Sequence, residues 1–127
     1  MSWQAYVDDN LVGTGKVSKA GIYGLDGTKW ASSAGYEPSG EEVKALIAGI
    51  KDPSTLYANG VYLEGTKHVV LRTTPGESVY VRKDNTGATV VMTNQCILVG
   101  HFDENTQPGP STVVVEGLAD YLKGVGY

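Results

Sequence analysis

The chain has 127 residues, 41% of them hydrophobic, and a formal net charge of −4. That length carries one domain with chain enough for a core, and no window approaches the roughly 18 consecutive apolar residues of a membrane span. The acidic balance offers no general attraction to nucleic acid or anionic lipid, and the single cysteine, Cys96, excludes a disulfide framework and suits a reducing compartment such as cytosol.

In chain order, Ser2 stands where it caps a short helix running from about Ser2 to Leu11 and ending at Gly13. No basic n-region and apolar h-region stand here, so no secretory signal is read. Trp3, Val7 and Leu11 form a stripe at i, i+4 and i+8, with Tyr6 beside Trp3. Chain ends fray unless tied down, so two large aromatics here imply an anchored element. The runs 20–25 and 29–32 flank Asp26-Gly27, a hairpin signal. Ser39 and Glu42 make a capping box ahead of Val43, Leu46, Ile47 and Ile50, whose spacing is helical. Asp52-Pro53 stops that helix.

From Gly60 the period changes to that of strands, over 61–63, 68–72, 78–82, 88–92 and 96–102. Breaks this short force antiparallel neighbours, because a parallel crossover needs about a dozen residues or more. A polar loop then ends in Gln107-Pro108-Gly109-Pro110, and Pro110 suits the first turn of a last helix. Val114, Leu118, Leu122 and Val125 form its apolar stripe, with Tyr121 and Tyr127 on the flank. The expectation is one α+β domain over residues 1–127. An antiparallel sheet holds the two terminal helices on one face and the Ser39 helix on the other.

Candidate chemistry is thin. His68 and His101 lie in or at the end of strands, with no Asp or Glu at metal-ligand spacing, and read as structural or surface residues. Cys96, inside the apolar run 96–99, reads as a buried inert thiol. Asp8 and Asp9 point to different helix faces, and the glycines form no phosphate loop between a strand and a helix. No catalytic residue, metal site or cofactor is expected. Trp3, Tyr6, Trp30, Tyr121 and Tyr127 allow two readings. They staple the terminal helices to the sheet, or they form a half-exposed shelf for a polyproline II ligand, whose rings stack on flat aromatics and whose carbonyls accept from indole N–H or phenol O–H.

The opening Met-Ser-Trp-Gln-Ala-Tyr-Val-Asp, the closing Ala119-Asp120-Tyr121-Leu122 with Gly126-Tyr127, and Trp30-Ala31 between them resemble the profilin family. The similarity spans the whole chain, including the Gln107-Pro108-Gly109 loop and the Gly65-Thr66-Lys67 turn, and lies nearer the fungal and amoeboid branch than the animal one. It implies a small cytosolic, cytoskeleton-associated protein that binds monomeric actin and promotes its nucleotide exchange, and nothing in the sequence demands more than a monomer. It also implies binding to proline-rich segments of formins and related assembly factors, and to phosphoinositides. The family's proline groove falls on Trp3, Tyr6, Trp30, Tyr121, Leu122 and Tyr127. Its actin face falls on Lys67, Val69, Val70, Leu71, Arg72, Arg82, Gly109, Thr112 and Val113, and a phosphoinositide would meet Arg72, Arg82, Lys83 and Lys123. Two departures stand on the actin side: Val81 where relatives usually carry glycine, and Gly117 where amoeboid chains often carry lysine. The implied alternative is a proline-binding scaffold with weak or lost actin binding.

Overall fold

A computed structural model describes residues 2–127, the side chain of Thr55 apart; Met1, the first residue of the N-terminal motif, lies outside the described residues. The first helical segment, α1, passes through three windings: an α turn at Trp3–Ala5, a π segment at Tyr6–Leu11 and a 3₁₀ turn at Val12–Thr14. Ser2 caps it as predicted, its hydroxyl accepting from the Ala5 amide at 3.1 Å. The end differs from the prediction at Gly13. The wide π winding sets Gly13 against the Asp8 carbonyl, where a Cβ would stand 2.5 Å from the oxygen. Gly13 is therefore a close-approach residue, and the helix turns out at Gly15, with φ of 75°.

The strands are β1 (Lys19–Gly24), β2 (Lys29–Ser32), β3 (Val61–Leu63), β4 (Thr66–Thr74), β5 (Ser78–Lys83), β6 (Thr86–Met92) and β7 (Cys96–Phe102). They form one antiparallel sheet in the order β2-β1-β7-β6-β5-β4-β3. The tight turns account for the meander from β3 to β7. The β1–β7 pairing, running from Lys19 opposite His101 to Gly24 opposite Cys96, joins segments far apart in sequence and carries no local signal. The sheet curls until its far side meets β1: Lys19 reaches Glu64 at 3.5 Å, and the His68 and His101 rings stand 5.4 Å apart.

Alternation along the strands divides the core between two faces. Ile97 and Val99 point towards α2 (Gly40–Lys51), which contributes Val43, Leu46, Ile47 and Ile50. The capping box is formed, Ser39 accepting from the Glu42 amide at 3.1 Å and Glu42 from the Ser39 amide at 2.8 Å. A 3₁₀ turn (Pro53–Thr55) and a short α3 (Leu56–Asn59) follow Asp52, where the sequence predicts only a stop. Cys96 and Leu98 point the other way, to Val7 and Leu11 of α1 and to the last helix, α4 (Pro108–Gly124). With helices over both faces, β7 is buried along its whole length.

The predicted stripe on α4 needs correction. The helix begins with Pro108 at its first position, and its buried line is Ser111, Val115, Leu118, Ala119 and Leu122. Val114 is half-buried, and Val125, past the helix, is 52% exposed. Gly100 explains the seat of α4: a Cβ there would lie 2.3 Å from a Val115 methyl, so only glycine lets the helix lie this close to β7.

Candidate functional site

α1, β2 and the end of α4 bring five aromatic rings to one edge of the molecule. Trp3 sits at the centre, its ring centroid 4.7 Å from Trp30, 4.9 Å from Tyr127 and 5.7 Å from Tyr6; Tyr6 continues to Tyr121 at 6.3 Å. The tilted and edge-on arrangements are those the ring quadrupoles favour. Trp3, Tyr6 and Trp30 are half-buried, while Tyr121 and Tyr127 are exposed. Their inner surfaces staple helix to sheet and their outer surfaces face solvent, so the stapling and shelf readings describe two sides of the same rings. The neighbouring Tyr121 hydroxyl and burial raise the pKa of Tyr6 above 10.0, so its phenol stays neutral at physiological pH.

Short polar contacts frame the shelf. The Gln4 side-chain amide donates to the Ser32 carbonyl at 2.8 Å and ties α1 to β2 beside Trp30. At the other end, α4 closes in a Schellman motif: the Tyr127 amide donates to the Leu122 carbonyl at 2.8 Å, the Gly126 amide to Lys123 at 3.3 Å, and Gly126 has φ of 98°. This left-handed turn sends Tyr127 back towards Trp3. Leu122, placed among the ligand contacts by resemblance, is fully buried and supports the rings from beneath. Tyr6 and Tyr121 also border an apolar groove of about 380 Å³, lined by Asn10, Thr14, Val113, Val114, Gly117 and Leu118. The sequence does not announce it, because it lies between two helices that only the tertiary fold brings together.

The strand residues attributed to an actin face lie elsewhere, on β4 and β5 beside the start of α4. Lys67, Arg72, Arg82 and Gly109 are exposed and Thr112 is half-buried. Val69, Leu71 and Val113 are exposed by 62%, 56% and 69%, a large amount for apolar side chains. A bulge between Val70 and Arg72 shifts the register and brings Arg72 opposite Tyr80, with its guanidinium 4.7 Å from the ring centroid. Tyr80 in turn donates to Glu116 of α4, and the Thr89 and Thr112 hydroxyls pair at 2.8 Å. Val70 does not belong to the surface; it is 5% exposed and packs in the α2 core. Val81 is also buried there, so its bulk points into the core rather than onto this surface. Gly117 is exposed, with open space where a side chain would begin.

The four cations attributed to phosphoinositide do not form one patch. Arg72 and Lys123 line a polar pocket with Glu77, Glu116 and Asp120, so carboxylates outnumber cations there. Arg82 donates through Nε to the Asp84 carbonyl at 2.8 Å, at the other end of β5 with Lys83.

His68 and His101 are buried, as structural residues would be. Burial, with His68 and Lys19 nearby, holds His101 down to about 4, and burial also lowers His68. The Cys96 thiol is buried and pushed up by desolvation. Among the described residues, no group of three or more His, Cys, Asp or Glu is placed to hold a metal ion, and no helix is long and apolar enough to cross a membrane.

The profilin family model matches residues 1–127. The profilin of Schizosaccharomyces pombe is 45% identical over 128 residues, with both chains covered in full. Profilin-2 of Acanthamoeba castellanii is 47% identical over 127 residues, again with full coverage. The crystal structure of that amoebal profilin II superposes with a TM-score of 0.96, covering 99% of this chain and 100% of its own. Mouse profilin IIa, solved in complex with a double repeat from the FH1 domain of mDia1, gives a TM-score of 0.82 at 21% identity, covering 100% of each chain. At that identity the likeness speaks to fold alone.

Proposed function

The chain belongs to the profilin family, and from that premise we propose that it is a two-faced adaptor. One face holds monomeric actin, and the other holds proline-rich segments of formins and related assembly factors. The observation that carries this reading is the separation of two differently built surfaces: the aromatic shelf at α1, β2 and α4, and the apolar, cationic face of β4 and β5.

On the shelf, half-exposed rings offer flat faces to prolines, while indole N–H and phenol O–H groups offer donors to carbonyls. The contacts are Trp3, Tyr6, Trp30, Tyr121 and Tyr127, with Leu122 as support. Mouse profilin IIa was solved holding a double repeat from an FH1 domain, and the same class of ligand suits this shelf. On the strand face, Val69 and Leu71 supply apolar contact, joined by Val113 of α4, which also lines the groove beside Tyr6 and Tyr121, and Lys67, Arg72 and Arg82 steer an acidic partner. Gly109 and Thr112 complete the rim. Docked actin is blocked from nucleating yet remains able to add to filament ends. Nucleotide exchange speeds up because docking favours a more open actin cleft, a population shift in the partner rather than chemistry by this chain. A proline-bound factor then sees a raised local concentration of actin. The adaptor works in the cytoplasm, in association with the cytoskeleton, as a monomer, and needs no catalytic residue or cofactor. Phosphoinositide is the least supported partner, because the cations divide into two pairs and one pair lies among carboxylates.

The test is titration of the chain into fluorescently labelled monomeric actin, with assembly kinetics followed in parallel. Low-micromolar or tighter binding with suppressed nucleation is expected. No binding, with proline peptides still quenching tryptophan fluorescence, would leave the alternative, a proline-binding scaffold that has parted from actin.

A further inference from the structure

Four of the shelf's five rings are carried by helix or strand, and Tyr127 alone lies outside both. Its ring still packs edge-on against Trp3 at 4.9 Å and lies 6.5 Å from Trp30. The preceding Gly126, at φ of 98°, turns the chain back within the Schellman motif, which fixes the Tyr127 amide on the Leu122 carbonyl. The main-chain oxygen of Tyr127 is left to find its partners outside the helix.

We infer that Thr93 and Gln95, in the turn between β6 and β7, are positioning residues that fix Tyr127 in the shelf and so set its affinity for proline-rich segments. The inference rests on the proline reading of the shelf. The main-chain oxygen of Tyr127 accepts two bonds from this turn, from the Gln95 amide at 2.6 Å and from the Thr93 hydroxyl at 2.8 Å. The Gln95 side-chain amide donates to the Gly126 carbonyl at 2.7 Å.

The Thr93 hydroxyl has one proton, and its surroundings direct it. The Cys96 amide donates into this oxygen at 3.1 Å, which orients the hydroxyl. Two other acceptors lie in reach, the Cys96 sulfur at 3.0 Å and the Cys96 carbonyl at 3.1 Å, which already receives the Thr93 amide at 2.7 Å. The Tyr127 oxygen, at 2.8 Å, is the nearest of the three and a stronger acceptor than sulfur. Thr93 is buried, and the turn leads straight into β7, the strand covered on both faces, so the clamp is anchored in the most deeply buried part of the sheet. A ring held before the ligand arrives does not lose its freedom on binding, which is how preorganisation raises affinity.

The experiment is calorimetric titration of a synthetic oligoproline peptide into the full chain and its variants, with melting temperature and near-ultraviolet circular dichroism recorded for each. Thr93→Val is expected to weaken binding about fivefold to tenfold, and Gln95→Ala about twofold to threefold, from lost hydrogen bonds and lost ring order. Thr93→Ser, which keeps the hydroxyl, is expected to bind like the wild type. The aromatic dichroism of Thr93→Val should shrink before any peptide is added. In a cycle with Tyr127→Ala, the double variant is expected to bind no more weakly than Tyr127→Ala alone, because Thr93 acts through Tyr127. A merely structural bond would lower the melting temperature and leave affinity and the cycle unmoved. Peptide binding by Thr93→Val and Gln95→Ala equal to a binding wild type overturns the inference alone; Gln95→Ala and Thr93→Ser keep the test decisive if Thr93→Val folds poorly. A wild type that does not bind the peptide overturns the proline reading, and this inference with it.

Discussion

The two surfaces of this molecule are built on opposite plans. The shelf is a set of interlocked rings held by Gln4, Gly126 and the turn between β6 and β7, and each ring touches at least one other. The strand face is a bulged sheet surface whose exposed apolar residues stand apart from the core, with exposed cations among them. A rigid shelf suits a short, stiff peptide that offers few contacts, because little freedom is lost on binding. A broad face suits a large folded partner, where area and charge complementarity share the work. Substitutions should therefore separate the two activities cleanly.

The largest effect is expected from Trp3→Ala. Trp3 meets three other rings, so its loss should reduce oligoproline affinity by on the order of a hundredfold, with actin affinity unchanged; titration of both ligands reads this. An equal loss of actin binding would break the separation.

Acid should affect both surfaces together, because His101 is buried in β7, an interior strand of the sheet that carries them. Its pKa falls from an ordinary 6.5 to about 4 on folding, with Lys19 paired across from it on β1 and the His68 and Tyr36 rings against it. The neutral ring is the folded form. Stability is thus intact above pH 6.5, then declines as pH falls towards 4 and the unfolded chain takes up the proton preferentially. The total loss is about 3 kcal/mol, and thermal melts across this range should show it. A His101→Phe variant should reduce the decline, leaving the smaller part that the buried His68 contributes.

Smaller effects sharpen the contrast. Arg72→Ala should weaken actin binding about fivefold and leave oligoproline binding intact, through loss of charge and of the Tyr80 contact. Unchanged actin affinity would contradict the placement of that face. Gly126→Ala forces a side chain into a left-handed turn, and should cost about 1 kcal/mol of stability while loosening the shelf.

Much of this arrangement is legible in the sequence, and the exceptions share a cause. The Ser39–Glu42 box, the Asp26-Gly27 hairpin and the short breaks from β3 to β7 are local signals, and they appear where they are predicted. The aromatic residues are also visible, because large rings near chain ends need partners. What local patterns do not supply is proximity between distant segments. The β1–β7 pairing, the Tyr80–Glu116 bond, the groove between α1 and α4 and the hold of Thr93 on Tyr127 all belong to this class. Gly13 shows the same limit in miniature: its spacing reads as a stop, yet its role is set by a carbonyl brought close by a π turn. Resemblance carries Val70 and Leu122 into surface roles, and both lie inside, where alternation or helix phase turns their side chains inward.

The central claim is that the two surfaces act at once and independently. Analytical ultracentrifugation of the chain with a saturating labelled oligoproline peptide, with and without monomeric actin, tests it directly. We predict a ternary complex in which peptide affinity is the same whether or not actin is bound. Displacement of the peptide by actin would contradict this, and would place both ligands on one surface.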